Sequence, residues 1–489
     1  MSVAPKMPAT SPNLESRLAS ILGATRIQSV PATLAGYAID EVLPSVIVKP
    51  ASADEAAEIV RFAIAENLAL VPVGSRSKLA IGMPPARYDI ALDMTALNQI
   101  AHYDPGDLTL SVDTGLTLAK LNPVLAQHRQ FLPLLLPFYS VSTIGGAIAS
   151  GLDSPLRQTY GTARDFLIGA EFIDGTGAQC KSGGRVVKNV TGYDLHKLLI
   201  GSFGTLALIT RLNFRTFPMP LAARGFVAEC PNAEGALALR QKIVEGPLSP
   251  LTLDVLSPET AQIFATQTPS APEPLIFSDG GASATAADTT LPLPGDWFNP
   301  QAWQLCAAFA GSPEVLDRYN RGLNDLAQGL ALKIRPAATN FLDDTTRPAI
   351  WGRLREALPL LLKSSPAAMI FRLGTLPETH GTLINELRRI ADHCNLSHAL
   401  VARASGVIYF ALLPKSFDEE PIAELFGACD SVFMLCSQQS VSASILFCPT
   451  ALKHDFNVFG PPRPDASAMR RLKAAFDPRS IFAPGRMPS

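Results

Sequence analysis

The stretch Val187-Lys-Asn-Val-Thr-Gly-Tyr-Asp-Leu195, continued by Leu199-Ile-Gly-Ser-Phe-Gly-Thr-Leu-Ala-Leu-Ile-Thr-Arg-Leu212, decides how the rest of this chain is read. It sets Gly192, Gly201 and Gly204 among small residues and apolar runs. A purely structural strand pair has little use for so many points where backbone can approach a neighbour closely. A bound cofactor does have that use.

Working outward, three more segments share this texture. Pro72-Val-Gly-Ser-Arg-Ser-Lys78 closes a predicted strand, Leu68 to Val73, with amides, hydroxyls and two cations in one tight turn. That set suits a pyrophosphate, because concave backbone amides and charged donors both favour anions. The spacing fits neither GxxxxGK nor GxGxxG, and an ordinary surface turn also uses Gly and Ser. Ser142-Thr-Ile-Gly-Gly-Ala-Ile-Ala-Ser-Gly151 lets backbone lie flat against a planar ring or a phosphate chain, although a tight helix contact selects the same small residues. Tyr160-Gly-Thr-Ala-Arg-Asp165 precedes a predicted strand, Phe166 to Ile173, and a hairpin turn at Asp174-Gly-Thr-Gly177. An Arg164–Asp165 ion pair would support a cofactor there. A surface pair of little energetic value is the more common case. An anionic cofactor needs a nearby cation or donor, and Lys188, Arg164 and Arg486 are the cations in these regions.

Around these segments the chain reads as a sequence of mixed elements. Residues 11 to 30 begin with a short helix. Ser45 to Val48 is a strand, and Ser52 with Glu55 forms a capping box before Ala56, Ile59, Val60, Ala63 and Ile64 at helical spacing. With Leu68 to Val73 this makes a strand–helix–strand unit, which favours parallel pairing. Thr117 to Gln127 is a further helix. Beyond Pro218 long helical patterns such as Ala233 to Glu245 and Pro313 to Leu332 alternate with strands, giving an α+β texture. A tract from about 266 to 300, rich in Pro, Ala, Ser, Thr and Gly, lacks the periodicity of an element. The last helix starts near Asp465, is expected to bury Met469, Leu472 and Phe476, and leads to a docked apolar tail.

Composition narrows the classes. A chain of 489 residues exceeds one ordinary core, so two or three domains are expected. The balance of 41 basic against 43 acidic residues argues against nucleic acid as a partner. The seven cysteines are dispersed without a CxxC pair, which disfavours a zinc or iron–sulfur site and fits buried thiols in a reducing compartment. No metal site is expected. The apolar stretch Phe131 to Gly151 contains two prolines and three glycines, so no membrane span is expected either.

Taken in order, the segments at 72–82, 143–151, 160–177 and 187–210 resemble the FAD-binding domain of the vanillyl-alcohol oxidase and p-cresol methylhydroxylase superfamily. Within it, Lys188-Asn-Val-Thr-Gly-Tyr-Asp-Leu-His-Lys-Leu198 and the C-terminal segment 469–486 resemble the FAD-binding E subunits of bacterial glycolate oxidases. The resemblance covers about 40–218 and 450–489, and residues 219–449 align to nothing.

The resemblance implies an α+β chain: a leader over 1–39, a two-subdomain p-cresol methylhydroxylase-type FAD-binding domain over 40–218, a second α+β domain over 219–449, and a segment over 450–489 that returns to the flavin. Gly74, Ser75, Arg76 and Ser77, with Lys78, would hold the pyrophosphate. Thr143, Ile144, Gly145, Gly146, Ser150 and Gly151 would line the ribityl and flavin. Gly161, Arg164, Asp165 and Lys188 would support the cofactor. Gly204, Thr205, Leu206 and Ile209 would line the adenine side, and Arg486 would reach the flavin. No histidine lies between Gly74 and Gly82, so non-covalent FAD is expected.

No catalytic residue is assigned by these patterns. Tyr193, His454 and Arg486 are the candidates, and none of the late histidines forms the HxGDGNxH-like cluster of catalytic 2-hydroxy-acid oxidase subunits. The function implied is a FAD-binding subunit of a glycolate oxidase-type complex. It would oxidise a small 2-hydroxy acid, or relay its electrons from a catalytic flavoprotein subunit to an iron–sulfur partner. Such a protein is expected in the cytoplasm, at the inner face of the membrane where the complex docks there. Two alternatives stand beside it: a stand-alone FAD-dependent oxidase or dehydrogenase of another hydroxy acid or alcohol, and a non-redox assembly subunit of the same fold.

Overall fold

The computed structural model describes residues 12–185, 192–267, 297–330, 332–336, 348–416 and 418–487. Most of the 266–300 tract lies outside the described residues.

The first lobe starts from the helix Ala53–Ala65. Ser52 caps it by accepting the Glu55 amide at 3.1 Å. The Glu55 carboxylate turns back to the Ala51 amide at 2.7 Å and to Arg26 at 2.5 Å, adding negative charge to the first turn. Ala56, Ala57, Ile59, Val60 and Ala63 form its buried stripe, as the helical spacing predicts. The flanking strands Val46–Val48 and Leu70–Val73 are parallel, but they do not touch. Ile90–Asp93 lies between them and is parallel to both. Sequence order favours direct pairing, whereas the later strand fills the gap as a fully buried centre.

The tail extends this sheet. The Leu70 amide donates to the Ile481 carbonyl and the Ala483 amide to the Leu70 carbonyl, each at 2.7 Å. Ile481, Phe482 and Ala483 are buried, so the apolar tail is docked.

A five-stranded antiparallel sheet follows, in the spatial order Ile100–Asp104, Thr109–Asp113, Leu208–Arg215, Leu167–Ile173, Gln179–Gly183. The last two form the hairpin foreseen at Asp174–Gly177, whose turn Asp174 holds by accepting the Thr176 amide at 2.8 Å. Two short elements lie against this sheet, the helices Leu118–Ala126 and Ile144–Ser150. The second lobe is an eight-stranded antiparallel sheet built from strands between Ala222 and Phe447, with the helices Ala233–Glu245, Pro313–Gly329, His380–His393 and Glu419–Gln438 around it.

The last helix, Ala466–Phe476, departs from expectation. None of its residues is fully buried, and Leu472 is 38% exposed. Its apolar spacing predicts a core face, but the helix lies on the surface. Phe476 reaches Phe172 with ring centroids 6.3 Å apart, and Lys473 donates to the carbonyls of Thr205 and Phe482 at 2.6 and 2.8 Å. All seven cysteines are free thiols. Among the described residues no His, Cys, Asp or Glu cluster has the makings of a metal site, and no helix is long and apolar enough to cross a membrane.

Candidate functional site

The strand Leu70–Val73 delivers the turn Gly74–Lys78 to the mouth of a cleft. Gly74 lies so close to Thr143 that a Cβ would run into the threonine hydroxyl. Thr143 is committed to the next wall, accepting the Gly146 amide at 3.3 Å as N-cap of Ile144–Ser150. Gly145 donates its amide to the Thr114 carbonyl at 2.8 Å, and a Cβ there would fall 2.6 Å from the Thr114 Cβ. The third wall is Phe203–Gly204 with Ala207–Ile209. Gly204 takes φ +67° against Pro72, a conformation that L side chains rarely adopt. The cleft is open at its mouth, and its empty volume with that opening included is about 810 Å³.

Two cations face this cleft. The Lys78 Nζ donates to Ser142 Oγ at 2.5 Å and Ser77 Oγ at 3.1 Å. Burial pushes its ammonium down to about 8, against the opposing field of Glu356. Arg486 is 3% exposed, and its Nη2 donates to the carbonyls of Leu79, at 2.9 Å, and Ile81. Its other terminal nitrogen is buried without a protein partner. Burial lowers its guanidinium to about 10, with Asp40 working the other way. A buried charged donor without an acceptor is costly, so an anion in the cleft would complete it. Lys453 braces the same loop from the second lobe, donating to Asp40 at 2.9 Å and to the Ala80 carbonyl at 2.7 Å.

The structure brings Gly74, Ser75, Arg76, Ser77, Lys78, Thr143, Gly145, Gly146, Ser150, Gly204, Ile209 and Arg486 to this cleft. Arg76 stands with φ +68° and its guanidinium 4.5 Å from the centre of the Tyr37 ring. Other candidates lie elsewhere. Ile144 is fully buried in the core. Gly151 ends its helix with φ +60°, beside a small separate cavity that also takes Gly161. Thr205 and Leu206 lie in a bend before the strand Leu208–Arg215 and line a separate cavity beside the helix Ala466–Phe476. Among the described residues Asp165 pairs with no arginine; it accepts the Thr162 amide at 2.6 Å in a local capping box, and Arg164 does not line the cleft. Tyr193 is 89% exposed and the His454 side chain 63% exposed, so neither faces the cleft. Lys188 lies outside the described residues. Thr114 and Phe203 are lining residues that sequence reasoning missed; the Thr-Gly at the end of a predicted strand was the available signal for the first.

A second polar cluster sits behind the Ile144–Ser150 helix. Asp153 accepts from Arg157 at 2.6 Å and from Arg372 at 2.8 and 3.1 Å, and its carbonyl accepts from Arg403 at 3.0 Å. Burial alone would raise the Asp153 carboxyl, but the three arginines more than offset it and hold it below the usual carboxylate range. Asp254, 4.0 Å from Arg403, has the opposite outcome: burial lifts it to about 6. Because Arg372 and Arg403 belong to the eight-stranded sheet, the cluster ties the two lobes together behind the cleft.

Residues 44–183 match the FAD binding domain family, and residues 462–487 match the C-terminal domain of FAD linked oxidases. An FAD binding domain match thus lies in the first lobe and an FAD linked oxidase match in the C-terminal segment, the two together covering less than half of the chain. The chain is similar to glycolate oxidase subunit GlcE of Escherichia coli (strain K12), 35% identical over 200 residues that cover 41% of this chain and 55% of that subunit. Glycolate oxidase subunit GlcD of Bacillus subtilis (strain 168) matches at 24% identity over 91% of this chain and 89% of its own length. D-2-hydroxyglutarate dehydrogenase of Xanthomonas citri pv. viticola matches at 30% identity over 43% of this chain and 46% of that enzyme. The match to the first and third of these relatives thus spans about half of their length. In fold, the chain superimposes on p-cresol methylhydroxylase with a TM-score of 0.73 at 15% identity, covering 97% of this chain and 96% of that one. These likenesses support FAD-linked oxidation of hydroxy acids in general.

Proposed function

We propose that the chain binds FAD non-covalently in this cleft and serves as the FAD-binding subunit of a glycolate oxidase-type complex acting on a small 2-hydroxy acid. The observation that carries this reading is the buried, unpartnered nitrogen of Arg486, set with the Lys78 ammonium in a cradle of glycines. Bound FAD supplies a two-electron acceptor for a hydride equivalent. The chain's own part is to give the diphosphate two cations, the buried Arg486 and the half-buried Lys78, and to let backbone approach the cofactor where Gly146 stands. Its walls also exclude water. Among the described residues lining the cleft there is no His, Cys or Tyr, the side chains with the nucleophilic atom a covalent flavin link would need. Electrons would leave through an iron–sulfur partner, since the described residues hold no cluster-ligand set. The similarity to two glycolate oxidase subunits supports that arrangement.

A stand-alone hydroxy-acid dehydrogenase is the second reading, favoured by the likeness to a D-2-hydroxyglutarate dehydrogenase. One experiment separates the two. The FAD-loaded protein is mixed anaerobically with glycolate, lactate or 2-hydroxyglutarate, alone and with its co-purifying subunits, while flavin absorbance is followed. Bleaching only in the presence of the other subunits is expected. Bleaching and turnover by the chain alone would favour the second reading, and no bleaching in either condition would sink both.

Lys78 sets a pH dependence. Its amine in the folded protein titrates near 8, below the ordinary 10.5, so the cation is lost as pH rises through that value. FAD affinity should therefore fall above about pH 8, by at most about tenfold per pH unit for one linked proton. The free protein should change the other way. Between 8 and 10.5 the unfolded chain binds more protons at this site, so stability of the apoprotein rises over that window. Fluorescence titration of FAD from pH 7 to 10 checks the first trend. A Lys78→Met variant should flatten it, and a wild-type affinity that rose with pH would refute the role.

A further inference from the structure

Phe138 is a bulky residue held at φ +59°, in the left-handed region that such side chains avoid. Strain of this kind persists only where surrounding contacts enforce it. Here they come from the other lobe. The Glu356 carboxylate accepts the Phe138 amide at 2.7 Å and the Tyr139 amide at 3.2 Å, so one anion spans two successive N–H groups. Glu356 lies at the junction of the helices Pro348–Arg355 and Ala357–Ser364 and is 8% exposed. Arg355 fixes it, donating to the carboxylate at 3.0 Å while its guanidinium stacks 4.2 Å from the Tyr139 ring centre.

The other end of the strained turn touches the cofactor cleft. The Ser142 amide closes the turn onto the Phe138 carbonyl at 2.8 Å. The fully buried Ser142 hydroxyl then accepts the Lys78 ammonium at 2.5 Å, and the Phe138 ring centre lies 5.6 Å from the same nitrogen. A continuous set of contacts thus runs from a carboxylate of the second lobe to a cation of the cleft. No direct salt bridge joins Glu356 to Lys78 among the described residues; the carboxylate acts on the ammonium through space and, by contact, through the turn.

We propose that Glu356 is a positioning residue for the cofactor cleft: by gripping the Phe138 and Tyr139 amides it holds the 137–142 turn in the form that seats Lys78, so that the docked second lobe sets the cleft's affinity for its anionic cofactor. The affinity part rests on the FAD reading above; the seating of Lys78 does not.

The test uses the full chain and two readouts. The first is the acylation rate of Lys78 in the apoprotein, followed by mass spectrometry with acetic anhydride, which needs no cofactor. Glu356→Gln should free the amine from Ser142 and raise its labelling severalfold. Adding Phe138→Gly, which takes a positive φ without strain, should return the rate toward wild type. The second readout is the FAD dissociation constant. Glu356→Gln should weaken FAD by about tenfold, the scale of one charge-assisted hydrogen bond, and should cost far less in a Lys78→Met background. Ser142→Ala cuts the same link at the cleft end and should reproduce both effects, whether or not Glu356→Gln folds. A Glu356→Gln protein that loses thermal stability while Lys78 labelling stays at the wild-type rate would overturn the proposal. So would a failure of Phe138→Gly to rescue, or an equal FAD loss with and without Lys78. A wild-type protein that binds no FAD would defeat the proposed function, while the labelling result would still decide the role of Glu356.

Discussion

Replacing Gly146 with glutamate should yield a folded protein that retains no FAD. Gly146 lies in the helical wall of the cleft, half-buried, where an added Cβ would stand 3.0 Å from the Thr143 hydroxyl. That contact is tight but adjustable, so the backbone need not move far. The helix itself should tolerate the change, since glutamate is a better helix former than glycine. The carboxylate is the larger effect. It brings negative charge into a cleft whose two cations suit an anion, and it fills volume the cofactor would occupy. A loss of at least about a hundredfold in FAD affinity is expected, equivalent to about 3 kcal/mol. The flavin-to-protein ratio after desalting, with a melting curve beside it, measures both halves. Full flavin content in the variant would place the cofactor elsewhere. The same variant also tests a role in assembly alone, because activity of a complex that needs only the scaffold would survive it.

The second large effect should come from Asp153→Ala. The substitution strips the carboxylate from Arg157 and Arg372, which lie within hydrogen-bonding distance of it, and weakens compensation around Arg403. Removing one partner from a buried ion cluster leaves uncompensated charge and typically costs about 3–5 kcal/mol. Because Arg372 and Arg403 sit on the eight-stranded sheet, the loss should also loosen the join between the lobes. The pH dependence follows from the sign of the Asp153 shift. Its folded carboxyl titrates below the unfolded one, so its stabilisation is present above the unfolded pKa, about 4, and disappears as pH falls through the lower folded value. Urea unfolding at neutral and acid pH should show wild type and variant converging in acid. A difference below about 1 kcal/mol at neutral pH would mean the arginines find other partners.

What could be read from the sequence was local. Each wall of the cleft carries its own glycine signature, at 74, 145–146 and 204, because a close approach of backbone leaves its mark at the residue that makes it. The Ser52 cap, the hairpin at Asp174 and the docked tail are local in the same sense. What escaped depends on residues far apart in the chain. Asp153 meets Arg372 and Arg403 across separations of 219 and 250 residues, and Glu356 meets Phe138 across 218. No local pattern around any of them announces the partner. Periodicity misled at 466–476, since it marks which face of a helix is apolar and not how much lies over that face. Arg76 and Arg164 were read as cofactor cations from charge and position alone. The structure brings the first to the cleft with its guanidinium over the Tyr37 ring, while the second lies away from the cleft beside a capping box formed by its neighbour Asp165.

The central claim is that this cleft holds FAD without a covalent bond. The most direct measurement is the visible absorption spectrum of the purified protein, followed by that of the supernatant after acid precipitation. The account predicts flavin bands on the protein, after incubation with FAD where needed, that move entirely into the supernatant. Flavin that stays with the pellet would contradict the non-covalent link, and a protein that takes up no flavin at all would contradict the site itself.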